Sequence, residues 1–524
     1  MTTSSTHKLL KAASKVGGWT MLSRILGFVR DIFIARLLGA GPLADAFFVA
    51  FKLPNFFRRM FAEGTLTVAL VPVLSEQRQQ GEAHAHQFLN ALATLLLIAL
   101  TLFTVAGVLF MPWLLYLFAP GFADDPDRWA MSLTLARWMF PYLAMISLAA
   151  LAWAVLNTYK HFAVPAASPA LLNVAIILAA IGLAPLFDNP AMALTIGVLL
   201  GGLLQLAVQL PALKRIGWLP AISFRFNQPA IRETLSLFWP ALLAIAAVQI
   251  NILVGTILAT LLEPGAVSYL YYADRIVQLP LALFGIAMST ALLPTLSTHL
   301  ARQNETAAAD DLRAGIAWLT WITLPSAAGA CFLADPIIAT LFERGAFTHA
   351  DTLATADTLR AYTIGLLAFC WVKLFAAACY AKKDAKAPMR YAAISVVVNI
   401  VLAVILMQFW SYIGLAMATS LAAWINALML YARLSRTYGS LITAQIIKRI
   451  GTAMLATILM LLYLAGFTYG WVFPSGGWIQ GAWITLCIAG AGVIYFGSAI
   501  LLGERAWLMQ YLRRKEHGGG DDAA

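Results

Sequence analysis

Charge is what this chain has least of. Asp, Glu, Lys and Arg together make up 11% of its 524 residues, while 61% are hydrophobic. A soluble protein of this length cannot cover its surface with so few polar groups, which leaves a polytopic membrane protein as the expected class. Cysteine is scarce too. The four present, Cys331, Cys370, Cys379 and Cys487, all lie in apolar segments without metal-ligand spacing, as small buried hydrophobes would. The seven histidines do not cluster, so no metal site is expected. GxSxG, HExxH and Walker motifs are absent, as is any Asp-rich metal cluster. These absences argue against an enzyme, against a nucleotide-driven pump and against a resident cofactor. Polar groups are also too sparse for a Mg²⁺-dependent transferase acting on a polyprenyl phosphate. Transport energy would then come from an ion or voltage gradient.

What the chain has is long apolar runs. Fourteen candidate spanning helices can be drawn, over about 17–38, 44–75, 87–118, 129–158, 164–185, 190–212, 233–261, 267–298, 314–340, 357–381, 389–409, 411–435, 447–470 and 478–503. The polar stretch Met1 to Lys15 has no cleavable pattern, so the first run is expected to remain as a helix. Lys/Arg placement tests the count. Alternate loops hold Lys8, Lys11 and Lys15; Arg78; Lys160; Lys214, Arg215, Arg225 and Arg232; Arg302 and Arg313; Lys382, Lys383, Lys386 and Arg390; Arg433, Arg436, Lys448 and Arg449; and Arg505, Arg513, Arg514 and Lys515. The opposite loops, such as Gly39–Leu43, Asp188–Pro190, Glu263–Ala266 and Trp410–Tyr412, are short and almost free of basic residues. The positive-inside rule then places both termini in the cytoplasm. The net charge of +11 points to anionic inner-leaflet lipids and to no nucleic acid.

The chain also repeats itself. Phe47-Phe48 precedes Val71-Pro72-Val73-Leu74-Ser75 much as Tyr271-Tyr272 precedes Leu293-Pro294-Thr295-Leu296-Ser297. Lys160, Pro165 and Asn173 likewise parallel Lys383, Pro388 and Asn399, at offsets of about 222–226 residues, or six helices. An even number of spans gives a parallel repeat about an axis along the membrane normal. The expected organisation is a cytoplasmic N-terminus (1–16), an N-lobe (17–213), a cytoplasmic linker (214–232) and a C-lobe (233–436). A lipid-facing helix pair (437–503) and a cytoplasmic tail (504–524), expected to be disordered over Gly518–Ala524, follow.

The few charges within apolar runs are unevenly placed. The first two runs carry Arg24, Arg30, Asp31, Arg36, Asp45, Lys52, Arg58, Arg59 and Glu63; later ones carry Arg137, Asp274, Arg275 and Lys373. A charge at the bilayer centre costs at least ~2.5–3.5 kcal/mol on insertion scales. Arginine also presents a permanently charged fork of donors that matches phosphate oxygens. On a helix, Arg24, Gly27 and Arg30 share one sector, and Gly27 thins that wall. Asp45, Phe48, Lys52, Asn55 and Arg59 form a second stripe, bent by Pro54; Tyr271, Arg275 and Gln278 form a third. Other readings stay open: Arg24 with Asp31, or Asp274 with a neighbouring helix, as packing ion pairs; Arg36 and Lys52 as snorkelling side chains; Arg58 and Arg59 as interfacial anchors. Arginines outnumber nearby acids, however, and surplus cation implies water or an anionic ligand.

At these residues the chain resembles the MurJ/MviN family of peptidoglycan lipid II flippases. The resemblance rests on Ser23-Arg24-x-x-Gly27-x-x-Arg30-Asp31, on Ala44-Asp45-Ala46-Phe47-Phe48-Val49-Ala50-Phe51-Lys52-Leu53-Pro54-Asn55, and on Arg58-Arg59-x-Phe61-Ala62-Glu63-Gly64. Tyr271-Tyr272-Ala273-Asp274-Arg275, Leu293-Pro294, Ala119-Pro120-Gly121-Phe122 and Val372-Lys373 extend it to most of the chain. It implies an all-α, MATE-like inner-membrane protein of the multidrug/oligosaccharidyl-lipid/polysaccharide (MOP) superfamily, with fourteen helices, two six-helix lobes and a last pair lining a hydrophobic groove. By the same resemblance Arg24, Arg30 and Arg275 would bind the diphosphate-sugar head group of lipid II, the undecaprenyl-diphosphate-linked disaccharide-pentapeptide. Asp45 and Arg58 match further sensitive positions; Arg59 and Asn55 are added as candidate ligands. Ser23, Gly27, Asp31, Lys52, Glu63, Asp274 and Lys373 are candidate supporting or charge-pairing groups. Gln278 departs from the pattern, since relatives can carry an acid there. Expected partners are lipid II, membrane lipids and peptidoglycan-synthesis or division proteins. Release is expected to use Asp31 or Asp45 as competitors for the arginines. The alternatives are a cation-coupled drug exporter, an exporter of another polyprenyl-linked oligosaccharide, and a non-transporting scaffold for envelope-synthesis enzymes.

Overall fold

Proline and glycine punctuate the apolar runs, and the computed structural model breaks into helices at those points. It describes residues 3–61, 64–469 and 477–505, and among them every regular element is helical. Glu63, the loop residue Val472 and the tail beyond 505 lie outside the described residues.

The chain forms two compact units. The first runs to Ser268 and adds Arg344–Asp351; the second takes Tyr269–Glu343 and resumes at Thr352. In the first lie α1 (Thr3–Leu38), α2 (Pro42–Phe61), α3 (Thr65–Gln79), α4 (Glu82–Leu109), α5 (Met111–Phe118), α6 (Pro126–Met139), α7 (Tyr142–Thr158), α8 (Ala163–Gly182), α9 (Pro190–Ala207), α10 (Gln209–Arg215) and α11 (Pro229–Thr260). There follow α12 (Ala266–Pro280), α13 (Ala287–Ala301), α14 (Glu305–Phe332), α15 (Ala334–Phe342), α16 (His349–Thr363), α17 (Leu366–Ala381), α18 (Lys386–Tyr438), α19 (Ala444–Tyr469) and α20 (Gly477–Ala499).

Several expected runs are broken, for local reasons. The run 87–118 divides at Phe110, just ahead of Pro112 in the first turn of α5. The run 129–158 divides at Phe140-Pro141, because proline cannot donate within a helix. Residues 267–298 pass through a π-helical turn, Leu281–Ile286, directly after Pro280. α16 and α17 are bent by 42°. α18 holds the two runs 389–409 and 411–435, which meet at Trp410 and Ser411, both with non-helical backbone angles. They fold back on each other, with Ser395 Oγ donating to the Ala422 carbonyl at 2.8 Å. Among the described residues nine helices are long and apolar enough to cross a membrane, or ten with the α16–α17 pair as one span. α1 and α2 fall outside that set because they carry the charges set out above, and α18 counts once for two runs.

The repeat is stereochemical as well as sequential. α2 and α12 begin at 42 and 266, α4 and α14 at 82 and 305, α5 and α15 at 111 and 334, α6 and α16 at 126 and 349, and α7 and α17 at 142 and 366. α7 and α17 also end alike. Lys160 and Lys383 adopt φ of +61° and +60°, in the left-handed region. His161 N–H donates to the Leu156 carbonyl (2.8 Å) and Asp384 N–H to the Cys379 carbonyl (3.0 Å), the Schellman closure of a helix end. Neighbouring side chains have diverged. Glu82 accepts a hydrogen bond from Tyr159 Oη in one unit, whereas the equivalent Glu305 pairs with Lys382 at 3.1 Å in the other. In the loop after α17, the Ala387 N–H (3.1 Å) and then Arg433 (3.1 Å) hold the Asp384 carboxyl below the usual carboxylate range.

Packing follows the small residues. Gly197 and Gly201 on α9 form a GxxxG pair against α8. A Cβ at Gly197 would lie 2.7 Å from Ala179 Cβ, and one at Gly201 2.9 Å from Leu172 Cα. Cys370, Cys379 and Cys487 are buried small hydrophobes, as their settings implied. The pair α19–α20 packs on α14: Tyr495 Oη donates to the Trp321 carbonyl at 2.6 Å, and Trp321 Nε1 donates to the Arg449 carbonyl at 3.1 Å. Gly201→Leu should separate α8 from α9 and destabilise the chain by about 1–3 kcal/mol. Thermal unfolding in detergent should show a lower Tm for it and an unchanged one for Leu203→Phe, whose side chain is 52% exposed; equal Tm values would disprove the tight contact.

Candidate functional site

α1 presents its two central arginines in different states. Arg30 is buried: Nη2 and Nε donate to Asp31 Oδ1 at 2.6 and 3.0 Å, and Nη1 donates to Asn173 Oδ1 on α8 at 3.0 Å. Its guanidinium carbon also lies 5.9 Å from the Phe51 ring centroid. Asn173 in turn donates from Nδ2 to the Ser23 carbonyl at 3.0 Å. Gly27 admits this crossing, since a Cβ there would stand 3.5 Å from Asn173 Nδ2. Ser23 therefore contributes its backbone, and Gly27 its lack of a side chain. Arg24 is exposed, and among the described residues it forms no ion pair. The alternative pairing of Arg24 with Asp31 does not occur, because Asp31 is taken by its neighbour Arg30.

Asp45 is fully buried at the first turn of α2. Its Oδ1 accepts from Ser268 N–H (2.9 Å) and Ser268 Oγ (2.6 Å), and Oδ2 accepts from Gly265 N–H (2.7 Å) and Arg128 Nη2 (3.2 Å). Arg128, on α6, is itself buried and lies 4.2 Å from the Phe122 ring centroid. Its four acceptor positions are engaged here by Gly265 in the loop before α12, by Ser268 in the first turn of α12 and by Arg128, and not by an arginine of α1. Arg128 and Asn173 carry roles that sequence reasoning did not assign. The signal for Asn173 was present, as one amide in an otherwise apolar run; for Arg128, in an acidic loop, there was none.

Further along α2, Lys52 Nζ donates to Thr256 Oγ1 of α11 at 3.3 Å, so the ammonium is bonded within the protein and does not only snorkel. Asn55 Nδ2 donates to the Phe51 carbonyl at 2.7 Å, beside the break in backbone bonding that Pro54 makes, and its Oδ1 accepts from Arg58 Nε at 3.0 Å. Arg58 is half-buried and Arg59 exposed. Phe57 and Phe61 stand edge-on to Phe103, at 5.2 and 5.4 Å between centroids, which fixes the lower half of α2 against α4.

In the second unit, Arg275 Nη2 donates to Tyr271 Oη at 2.8 Å, and the guanidinium carbon lies 4.7 Å from that ring's centroid. Tyr271 thus orients the cation one turn away. Asp274 accepts from Gln278 Nε2 within α12. Lys373 is exposed on α17 and forms no ion pair among the described residues. No group of three or more His, Cys, Asp or Glu arranged to hold a metal occurs among the described residues.

The family model described as "Lipid II flippase MurJ" matches residues 34–480. The chain belongs to the MurJ lipid II flippase family. A Haemophilus influenzae relative named "Probable lipid II flippase MurJ" is 37% identical over 503 residues, covering 93% of this chain and 98% of the relative. The solved structure "Lipid II flippase MurJ, inward closed conformation" superposes with a TM-score of 0.79 at 28% identity, over 94% of this chain and 99% of that one. An inward-facing MATE transporter of the MOP superfamily superposes at 0.66 over 82% of this chain and 98% of its own; at 12% identity, that likeness speaks to fold alone. The expected MurJ family and its MATE-like fold are thereby met.

The Asp45–Arg128 pair has a measurable consequence. Removing either partner leaves a buried charge uncompensated, so Asp45→Ala or Arg128→Ala should cost about 3–5 kcal/mol. The double variant should lose less than the sum of the two, because it strands no charge. Denaturation of the three purified variants gives the coupling; strict additivity would rule out the pairing.

Proposed function

We propose that this chain moves lipid II from the inner to the outer leaflet of the bacterial cytoplasmic membrane, making and breaking no covalent bond. Family membership supplies the substrate class. Arg24 is the observation that carries the chemistry: a permanently charged side chain on an apolar helix, exposed, and without an ion pair among the described residues. An anionic head group would satisfy it with charge-assisted, partly bidentate bonds. Arg30, neutralised by Asp31 and bonded to Asn173, ties α1 to α8 behind Arg24. Arg58, Arg59 and Asn55 on α2 are further phosphate- and sugar-directed donors of the first unit; within the second unit, taken by itself, Arg275 and Lys373 are donors of the same kind. Asp31, Lys52, Asp45, Asp274 and Gln278 act on this set through packing and hydrogen bonds.

The chain spans the membrane fourteen times, with both termini in the cytoplasm, as the Lys/Arg distribution requires. Translocation proceeds by alternating access, in which differential affinity of the head group for two states drives the exchange. The MATE likeness does not favour a cationic drug as substrate, since the polar groups on α1 and α2 carry an excess of positive charge.

In cells dependent on this chain, Arg24→Ala should reduce lipid II at the outer surface roughly tenfold or more, the scale of one lost hydrogen bond to a charged group. Arg24→Lys should restore part of it, because a point charge replaces the fork. Outer-leaflet lipid II is read by an externally added enzyme that cleaves it, with membrane levels of each variant matched. Wild-type exposure in Arg24→Ala cells would remove Arg24 from the site.

A further inference from the structure

The first unit holds a cavity of about 440 Å³ at the Leu38 end of α1, within the size range of small-ligand sites. Phe33 and Leu37 wall it from α1, Ile181 from the last turn of α8, and Ala184 and Phe187 from the turn that follows. Arg36 is the one charged residue among those that line it. Ile181 is 57% exposed and the adjacent Leu186 75%, so the walls continue onto a surface suited to hydrocarbon.

Arg36 is exposed, and among the described residues no carboxylate pairs with it. Its position is nevertheless set. Ala346 N–H donates to the Arg36 carbonyl at 2.8 Å, and Gly345, at φ +64°, lies so close that a Cβ there would sit 2.9 Å from Arg36 Cγ. The stem is thus laid against backbone, leaving the guanidinium as the ligand-directed end. An apolar cleft with one fixed cation at its rim matches a molecule with a hydrocarbon chain and an anionic phosphate.

We propose that this cleft binds one acyl chain of an anionic glycerophospholipid, with Arg36 bonded to the lipid phosphate. The occupant is a structural lipid, distinct from the transported substrate. Zwitterionic lipid shares the tail and phosphate but brings a second cation beside Arg36, so the site prefers the anionic head group.

Native mass spectrometry of the purified full-length chain tests this, with dioleoylphosphatidylglycerol and dioleoylphosphatidylcholine added in turn. The wild-type chain should retain one phosphatidylglycerol more tightly than any phosphatidylcholine. Arg36→Gln should weaken that retention about tenfold, the effect of losing one charge-assisted hydrogen bond to the phosphate, and abolish the preference. Ala184→Trp should fill the cleft and weaken both lipids; Ile181→Trp, at a more exposed wall, does the same if Ala184→Trp does not fold. Equal retention of the two lipids by the wild-type chain would overturn the proposal, as would variants that bind like it. Displacement of the bound phosphatidylglycerol by lipid II would also overturn it, reassigning the cleft to the substrate.

Discussion

An ionised side chain among hydrocarbon must be met by protein, water or ligand, because the bilayer interior offers nothing else. Asp45 is met by two backbone N–H groups, a hydroxyl and Arg128. Arg30 is met by Asp31 and by Asn173 reaching across from α8. These two solutions fix the course of α1, α2, α6 and α8, so that packing in the first unit is organised around charges as much as around apolar surface. With those groups matched, Arg24 remains a cation near the middle of the same helix that no carboxylate in the described residues accompanies, as Arg36 does near the helix end. The functional proposal grows from that contrast between two arginines six residues apart.

The repeat shows what is conserved in form and what is free to differ. Helix starts recur at a shift of 223 to 224 residues, and both copies of the α7 end place a lysine in the left-handed region. Chemistry has diverged on this common frame. α2 carries Asp45, Lys52, Arg58 and Arg59, whereas α12 carries Asp274 and Arg275. The two copies therefore share a scaffold and differ in the charges they carry.

Much of the fold was legible because the bilayer constrains sequence strongly. Run length, loop charge and paired landmarks such as Lys160 and Lys383 all act locally, and the structure repeats them at the same offsets. Broken spans were less legible: Pro112 and Pro141 were visible, but an apolar run looks continuous whether or not its helix is. The arginines of the candidate site were legible from their cost alone. Their partners were not. Whether Asp31 serves Arg24 or Arg30 depends on side-chain direction, and the Asp45–Arg128 pair joins residues 83 positions apart. Asn173 declared itself as a lone amide among alkyl side chains, yet only the crossing of α1 and α8 at Gly27 explains it.

The central claim is that this chain carries a diphosphate-linked lipid across a bilayer by means of Arg24. Reconstitution tests it most directly. Liposomes containing the purified chain and fluorescent lipid II are followed for the fraction that becomes reachable by an impermeant quencher. The account predicts exchange between leaflets in wild-type vesicles, at a rate well above protein-free vesicles, and a return towards that background with Arg24→Ala. Wild-type vesicles that exchange no faster than protein-free ones, or an Arg24→Ala chain that matches the wild-type rate, would contradict it.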